Sequence, residues 1–195
     1  MEKGRFSLVL HNSSLMENLK RNNVPFKKIH GMCVSIRIIR EETNEKMIWE
    51  YITNETLKNM NKTFDELYNV AFKEDLKHGY EMIDIMDAIG NNPMLSKKKA
   101  NKYKKLERHQ KVFILTNPEK VNGATAILHE SFMEKVFNEL GDSVFIVPVN
   151  THYVYCLSTD VSAKIQDKYQ LLLNNPLKQD KELKTELIRI DRRKV

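Results

Sequence analysis

Apolar residues in this chain gather in short runs that follow two different periods. Arg5–His11 (RFSLVLH), Met32–Ile39 (MCVSIRII), Met47–Ile52, Val112–Leu115, Ala124–Leu128, Val144–Val149 and Tyr153–Leu157 read as strands. In the second of these, Val34, Ile36 and Ile38 share one face, and Cys33 and Ile39 the other. The charged stretch from Arg40 to Glu45 reads as a hairpin turn into Met47–Ile52, and largely apolar faces predict a central place in a sheet for this pair. The most patterned piece is Val112–Leu128 (VFILTNPEKVNGATAIL). It predicts a strand, a tight crossing and a second strand, with Asn117 and Gly123 fixing the bends.

Other segments repeat with the helical period. Asn12 can cap a short helix carrying Leu15, Met16 and Leu19, and Thr53 or Asn54 can cap another. Thr63 and Glu66 form a capping box, followed by Phe64, Leu67, Tyr68, Ala71 and Phe72 at helical spacing. Met82–Ile89 reads as a short helical piece. Ser131 and Glu134 make a second capping box ahead of Phe132, Met133, Val136, Phe137 and Leu140, with Gly141 as the stop. Asp160 can cap a helix through Val161, Ile165, Tyr169 and Leu172. Leu183, Leu187 and Ile190 predict a last helix over Lys181–Arg192. The expected fold is therefore α+β, an antiparallel or mixed sheet with helices mainly on one face. It would comprise a domain over 1–160 with a basic loop or linker at about 91–111, and a helical C-terminal extension over 161–195.

Composition narrows the class. The chain has 195 residues, enough for a real core without a disulfide or metal staple. Its two cysteines, Cys33 and Cys156, sit alone inside apolar runs, as buried free thiols of a reducing compartment do. No run approaches about 18 consecutive apolar residues. A soluble cytoplasmic protein with no membrane partner is expected. The net charge of +6 is concentrated: Lys97, Lys98, Lys99, Lys102, Lys104, Lys105, Arg108 and Lys111 against Glu107 give +7 between Lys97 and Lys111, leaving −1 elsewhere. A localised patch of this kind is either a solvated linker or the electrostatic footprint of a nucleic acid. Tyr103 lies within it, where its ring could stack on a base.

Catalytic chemistry is sparsely signalled. No nucleophile elbow, phosphate-binding loop, dinucleotide fingerprint or paired zinc-histidine motif is present, and no cofactor is called for. Asp84 and Asp87 are three apart and can share a helix side, which by itself is a polar face rather than a metal site. None of the six histidines has metal-ligand spacing to another. His129 follows one predicted strand and His152 sits at a hairpin tip. If their strands ran side by side, the two could serve as base and acid in metal-independent RNA cleavage, with Lys111 or Lys120 steadying the phosphate.

The stretch from Leu115 to Leu128, the helix ending in Leu140-Gly141 and the following VFIVPVNTHYV resemble a bacterial family of unknown function. Its pattern runs strand, Thr-Asn, a few polar residues, Gly-Ala-x-x-Ile-Leu, helix, Leu-Gly, strand, Pro, then a His before the final strand. Leu10 to Asn12, Val24-Pro25-Phe26 and Phe64–Ala71 are similar as well, so the resemblance spans roughly Arg5–Thr159. Where that family tends to carry Pro-Ser-Ser-x-His-Glu, this chain has Pro148-Val149-Asn150-Thr151-His152-Tyr153, without the serines or the acid. The resemblance implies an occurrence on mobile elements of low-GC bacteria and no established activity. Three functions are compatible with these readings. The first is a non-catalytic binder of RNA or a ribonucleoprotein, for instance an anti-defence inhibitor of an RNA-guided nuclease (anti-CRISPR-like). The second is a ribonuclease using His129 and His152. The third is an interaction module whose C-terminal helices bind another protein.

Overall fold

The computed structural model describes residues 4–42, 47–89, 101, 104–160 and 187–192. These fall into two compact units that part between Gly79 and Tyr80. Each unit has its own antiparallel sheet with helices, so the α+β class holds.

In the first unit, strand β3 (Met32–Glu42) is the centre. Strand β1 (Arg5–His11) lies on one side of it, and β2 (Lys27–Ile29) and β4 (Met47–Tyr51) share the other. The β2–β3 turn places His30 at φ +50° and Gly31 at φ +75°. Two successive positive φ values make the two-residue turn whose twist suits a hairpin. Helices α1 (Met16–Arg21), α2 (Asn54–Asn59) and α3 (Phe64–His78) complete the unit. The Thr63 hydroxyl accepts from the Glu66 N–H and the Glu66 carboxylate accepts from the Thr63 N–H, so the expected capping box forms. The two faces of β3 differ less than alternation suggests. Val34, Ile36 and Ile38 are buried on one side, yet Cys33, Ser35, Arg37 and Ile39 on the other are buried too. The hairpin was expected to be central as a pair. Only β3 is, because β4 pairs with β3 alone among the described residues.

Backbone parity identifies what guards the edges. Ile52 N–H donates to Ile36 C=O at 2.9 Å, so the even residues of β3 turn their backbone groups toward β4 and the odd ones toward β1. The register then points the backbone of Leu8 away from the sheet. Asp75 of α3 meets it there, accepting the Leu8 N–H at 2.9 Å. A helix side chain thus satisfies an edge amide that would otherwise invite another strand.

The second unit holds five strands in the order β5–β6–β8–β7–β9: β5 Glu81–Asp84, β6 Val112–Thr116, β7 Ser143–Pro148, β8 Val154–Ser158 and β9 Ile188–Asp191. Helices α4 (Ile85–Ile89) and α5 (Glu130–Leu140) belong to it. Val112, Val147 and Leu157 form a buried cluster, joined by Ile85, Phe145 and Leu187.

Four expectations change here. Met82–Ile89 is not helical throughout: Glu81–Asp84 pairs with β6 and only Ile85–Ile89 is helix. Ala124–Leu128 is not a strand but part of a buried 3-10 helix, Gly123–Leu128. A short apolar run fits either state by periodicity, and the Thr125 hydroxyl, donating to Asn122 C=O at 2.9 Å, favours the turn. Helix α5 starts at Glu130, one residue before the proposed Ser131 cap. The cap residue is His129, whose carbonyl accepts from the N–H groups of Phe132 and Met133. Finally, Ile188–Asp191 is a strand on β7, not the end of a helix. Asp191 accepts from the Ser143 hydroxyl at 2.7 Å, and Arg192 meets Glu134 at 2.6 Å and Asp142 at 3.1 Å, which pins this strand beside β7 and α5. Residues 161–174 of the helix predicted to follow the Asp160 cap, and the helix residues 181–186, lie outside the described residues.

Candidate functional site

The loop between β6 and the 3-10 helix is assembled from the residues that the sequence pattern singled out. Asn117 is its brace: the side-chain amide donates to Val121 C=O at 2.7 Å and its oxygen accepts the Val121 N–H at 3.0 Å. Lys120 and Asn122 adopt left-handed φ values of +56° and +58°, and such positions cost energy unless the surroundings fix them. Gly123 comes next. A Cβ there would fall 2.6 Å from the Thr116 Cα and nearer still to the Thr116 hydroxyl and the Asn117 backbone nitrogen. The glycine is needed for this close approach and not for an unusual φ.

The β7–β8 turn closes on that loop. The Thr116 hydroxyl donates to His152 C=O at 2.9 Å, Ala124 N–H donates to Thr151 C=O at 3.3 Å, and Asn122 N–H donates to His152 Nδ1 at 3.3 Å. Asn150 shapes the turn by accepting the N–H groups of His152 and Tyr153. The His152 ring is exposed, but its Nδ1 accepts a backbone hydrogen bond. A neutral ring that accepts at Nδ1 carries its proton on Nε2.

His129 has a different setting. It is 1% exposed, with the Tyr80 ring 4.7 Å away and Phe132 beyond, and burial pushes its pKa down to about 4. The Tyr80 hydroxyl is 3.2 Å from the Thr125 hydroxyl, which ties this aromatic cluster to the loop. At neutral pH the His129 ring is thus uncharged and enclosed among aromatics, a setting unlike that of the exposed His152.

The basic stretch is only partly described. Lys97, Lys98, Lys99, Lys102 and Tyr103 lie outside the described residues. Lys104 and Lys105 are exposed. Arg108 pairs with Glu139 at 2.5 Å and stands over the Phe113 ring, 5.3 Å from its centre. Lys111 pairs with Asp84 at 3.3 Å. These last two line an open cleft of about 390 Å³ with Met82, Asp84, Asp87 and Phe113. Asp84 also accepts the Met86 N–H at 2.9 Å, so one of the two noted carboxylates is committed to its own turn and to a lysine. Among the described residues no group of three or more His, Cys, Asp or Glu is placed to hold a metal ion. Both cysteines are fully buried, and burial raises their thiol pKa values.

Sequence reasoning missed a polar cluster inside the first unit. His11 shares a 2.8 Å hydrogen bond with the Ser35 hydroxyl, and burial together with the nearby Arg37 holds its pKa at about 4. Arg37 is itself 4% exposed, donates to Met47 Sδ at 3.5 Å and lies over the Trp49 ring at 5.2 Å. The signal was Ser35 and Arg37 alternating with Val34, Ile36 and Ile38, which reads as a solvent face unless something covers it. Among the described residues no helix is long and apolar enough to cross a membrane.

A family model, described as a family of unknown function (DUF5688), matches residues 9–175. No curated protein and no solved structure matches the chain.

Proposed function

The chain belongs to the DUF5688 family of unknown function, and we propose that it is a non-catalytic binding protein whose basic stretch, Lys97–Lys111, contacts RNA or a ribonucleoprotein. The observation that carries this reading is the concentration of charge: +7 within that stretch and −1 over the rest of the chain. Lysines clustered in this way neutralise phosphates and release counterions, the main source of affinity for nucleic acids without base readout. Lys104 and Lys105 are exposed and available for it. Arg108 and Lys111 each face a carboxylate, so the footprint rests on the lysines upstream of them. The burial of His129 and the engaged Nδ1 of His152 favour binding over cleavage. An inhibitor directed at an RNA-guided nuclease is one form such a binder would take.

The test is a salt titration of RNA binding for the parent and for a variant with Lys97, Lys98, Lys99, Lys102, Lys104 and Lys105 changed to Gln. Affinity should fall in the variant. The log–log salt slope should flatten by about 0.7 for each phosphate of a single strand that is no longer neutralised. The thermal melt should stay close to that of the parent. Changing His129 and His152 to Ala should leave affinity intact in a protein that remains folded. Equal slopes and equal affinities in parent and lysine variant would reduce the stretch to a solvated linker.

A further inference from the structure

Two cations of the basic stretch meet carboxylates, and they are held differently. Arg108 opens a one-turn 3-10 helix, Arg108–Gln110. That turn is closed on itself: the Glu107 N–H donates to the Gln110 side chain at 3.2 Å, and the Gln110 N–H donates to the Glu107 carboxylate. The mount of Arg108 is therefore fixed by local bonds that leave its own side chain out. From this mount the guanidinium stands over the Phe113 ring, 5.3 Å from its centre, and its Nε meets Glu139 Oε2 at 2.5 Å. Both side chains of the pair are open to solvent, 59% and 44% exposed. An ion pair this exposed contributes little to stability and is screened by salt. Glu139 also lies in the last turn of α5, the end of a helix at which negative charge is disfavoured. Helix stability therefore does not explain an acid at this position. The Lys111–Asp84 pair is more enclosed, with side chains 22% and 16% exposed, and Asp84 accepts the Met86 N–H as well. Drawing Lys111 away would strand a partly enclosed carboxylate.

We propose that Glu139 is an internal competitor for Arg108, which it occupies in the free chain and gives up to an RNA phosphate on binding. This inference rests on the reading of Lys97–Lys111 as an RNA-contacting stretch. The fork of N–H donors on a guanidinium fits a carboxylate or a phosphate alike, so the exchange needs no new recognition group. Its penalty is small because the pair is exposed. The phosphate adds a counterion release that the carboxylate does not. The Phe113 ring attracts the cation whichever anion it meets. Lys104 and Lys105 are exposed and bind without such an exchange. Arg108 joins them only where phosphates are dense enough to displace Glu139, and Lys111 stays with Asp84.

The test is a double-mutant cycle on the binding of single-stranded polyuridine by the full chain. Glu139→Gln should bind severalfold more tightly than the parent. Arg108→Gln should bind more weakly, with a log–log salt slope flatter by about 0.7, the contribution of one single-strand phosphate. The variant carrying both changes should match Arg108→Gln, because without the guanidinium the carboxylate has nothing to withhold. Both positions are exposed, so thermal melts should stay close to the parent's. A gain from Glu139→Gln of equal size with Arg108 present or replaced would mean plain charge repulsion. No gain at all would mean that the pair stays closed on RNA. Either result overturns the proposal. If one of them occurs while the six-lysine variant still loses affinity, the reading of the stretch stands without it, whereas a parent that does not bind the RNA removes both.

Discussion

At Gly123 a single added methyl group collides with backbone atoms that cannot swing aside. The loop around it is tied at Asn117, Val121 and His152, and two of its residues already hold left-handed φ. Gly123→Ala should therefore destabilise the protein by more than about 2 kcal/mol, in the range that overpacking produces. Urea unfolding followed by circular dichroism measures it. A change under about 0.5 kcal/mol would mean that the loop relaxes around the methyl. Asp75 gives a second residue-scale prediction, with a sign set by burial. Burial raises its pKa to about 6 from an ordinary 3.8, against the opposing pull of the Leu8 amide, Ser7, Arg5 and Arg37. The folded state thus binds a proton that the unfolded chain releases. Its penalty is absent below the unfolded pKa and grows as pH rises toward the folded one. Asp75→Asn keeps an oxygen for the Leu8 N–H and removes the titration. The melting temperature of the variant relative to the parent should rise between pH 4 and pH 7, and a difference independent of pH would contradict this role. Both the glycine's importance and the asparagine's were legible in the sequence as turn residues. The part played by Asp75 was not, because an acid on a helix gives no sign that a strand edge will be brought to it.

Among the elements, α3 was the most readable. Its start is written locally: the Thr63 hydroxyl and the Glu66 carboxylate satisfy each other's backbone amides with no help from elsewhere in the chain. Thr63→Ala leaves a helix amide without its cap and should cost about 1 kcal/mol, read from the shift in denaturant midpoint at unchanged slope. Elements of ambiguous period were misread for a common reason. Met82–Ile89, Ala124–Leu128 and Ile188–Asp191 are short apolar runs whose state depends on the neighbour at hand. Met82 to Asp84 extend because the β6 edge accepts them, and Ile188 to Asp191 because β7 does. Ala124 to Leu128 coil because Gly123 lies against Thr116 and the Thr125 hydroxyl turns back to Asn122.

For the whole molecule, the buried histidines should dominate the response to acid. His11 and His129 titrate at about 4 in the folded chain against an ordinary 6.5. The unfolded state therefore binds their protons first, and stability falls as pH drops from 6.5 toward 4. Protonation of Asp75 works in the opposite direction from about pH 6 downward, but one carboxyl opposes two rings. Thermal melts should show stability declining between pH 6.5 and pH 4. The decline should be shallower in His129→Gln, provided that variant folds, and a flat profile in the parent would show that the rings are not buried neutral in solution.

The sequence by itself determined whatever is decided within a few residues. Alternation made the strands Arg5–His11 and Met32–Ile39 (the structure carries the second on to Glu42, through residues read as turn), the capping box began α3, Asn117 and Gly123 bent the chain after β6, and lysine spacing confined the charge to Lys97–Lys111. Those outcomes follow from backbone sterics, local hydrogen bonds and composition, which need no distant partner. Tertiary structure decided which surfaces meet. It set two sheets in two units, buried Ser35, Arg37 and His129 where a sequence pattern leaves them facing water, and gave β1 a guard in Asp75 while leaving the outer side of β4 without a strand among the described residues. The physical reason is that burial and edge satisfaction belong to pairs of segments far apart in the chain. Leu8 and Asp75 are 67 residues apart, and nothing in either one's neighbours specifies the other.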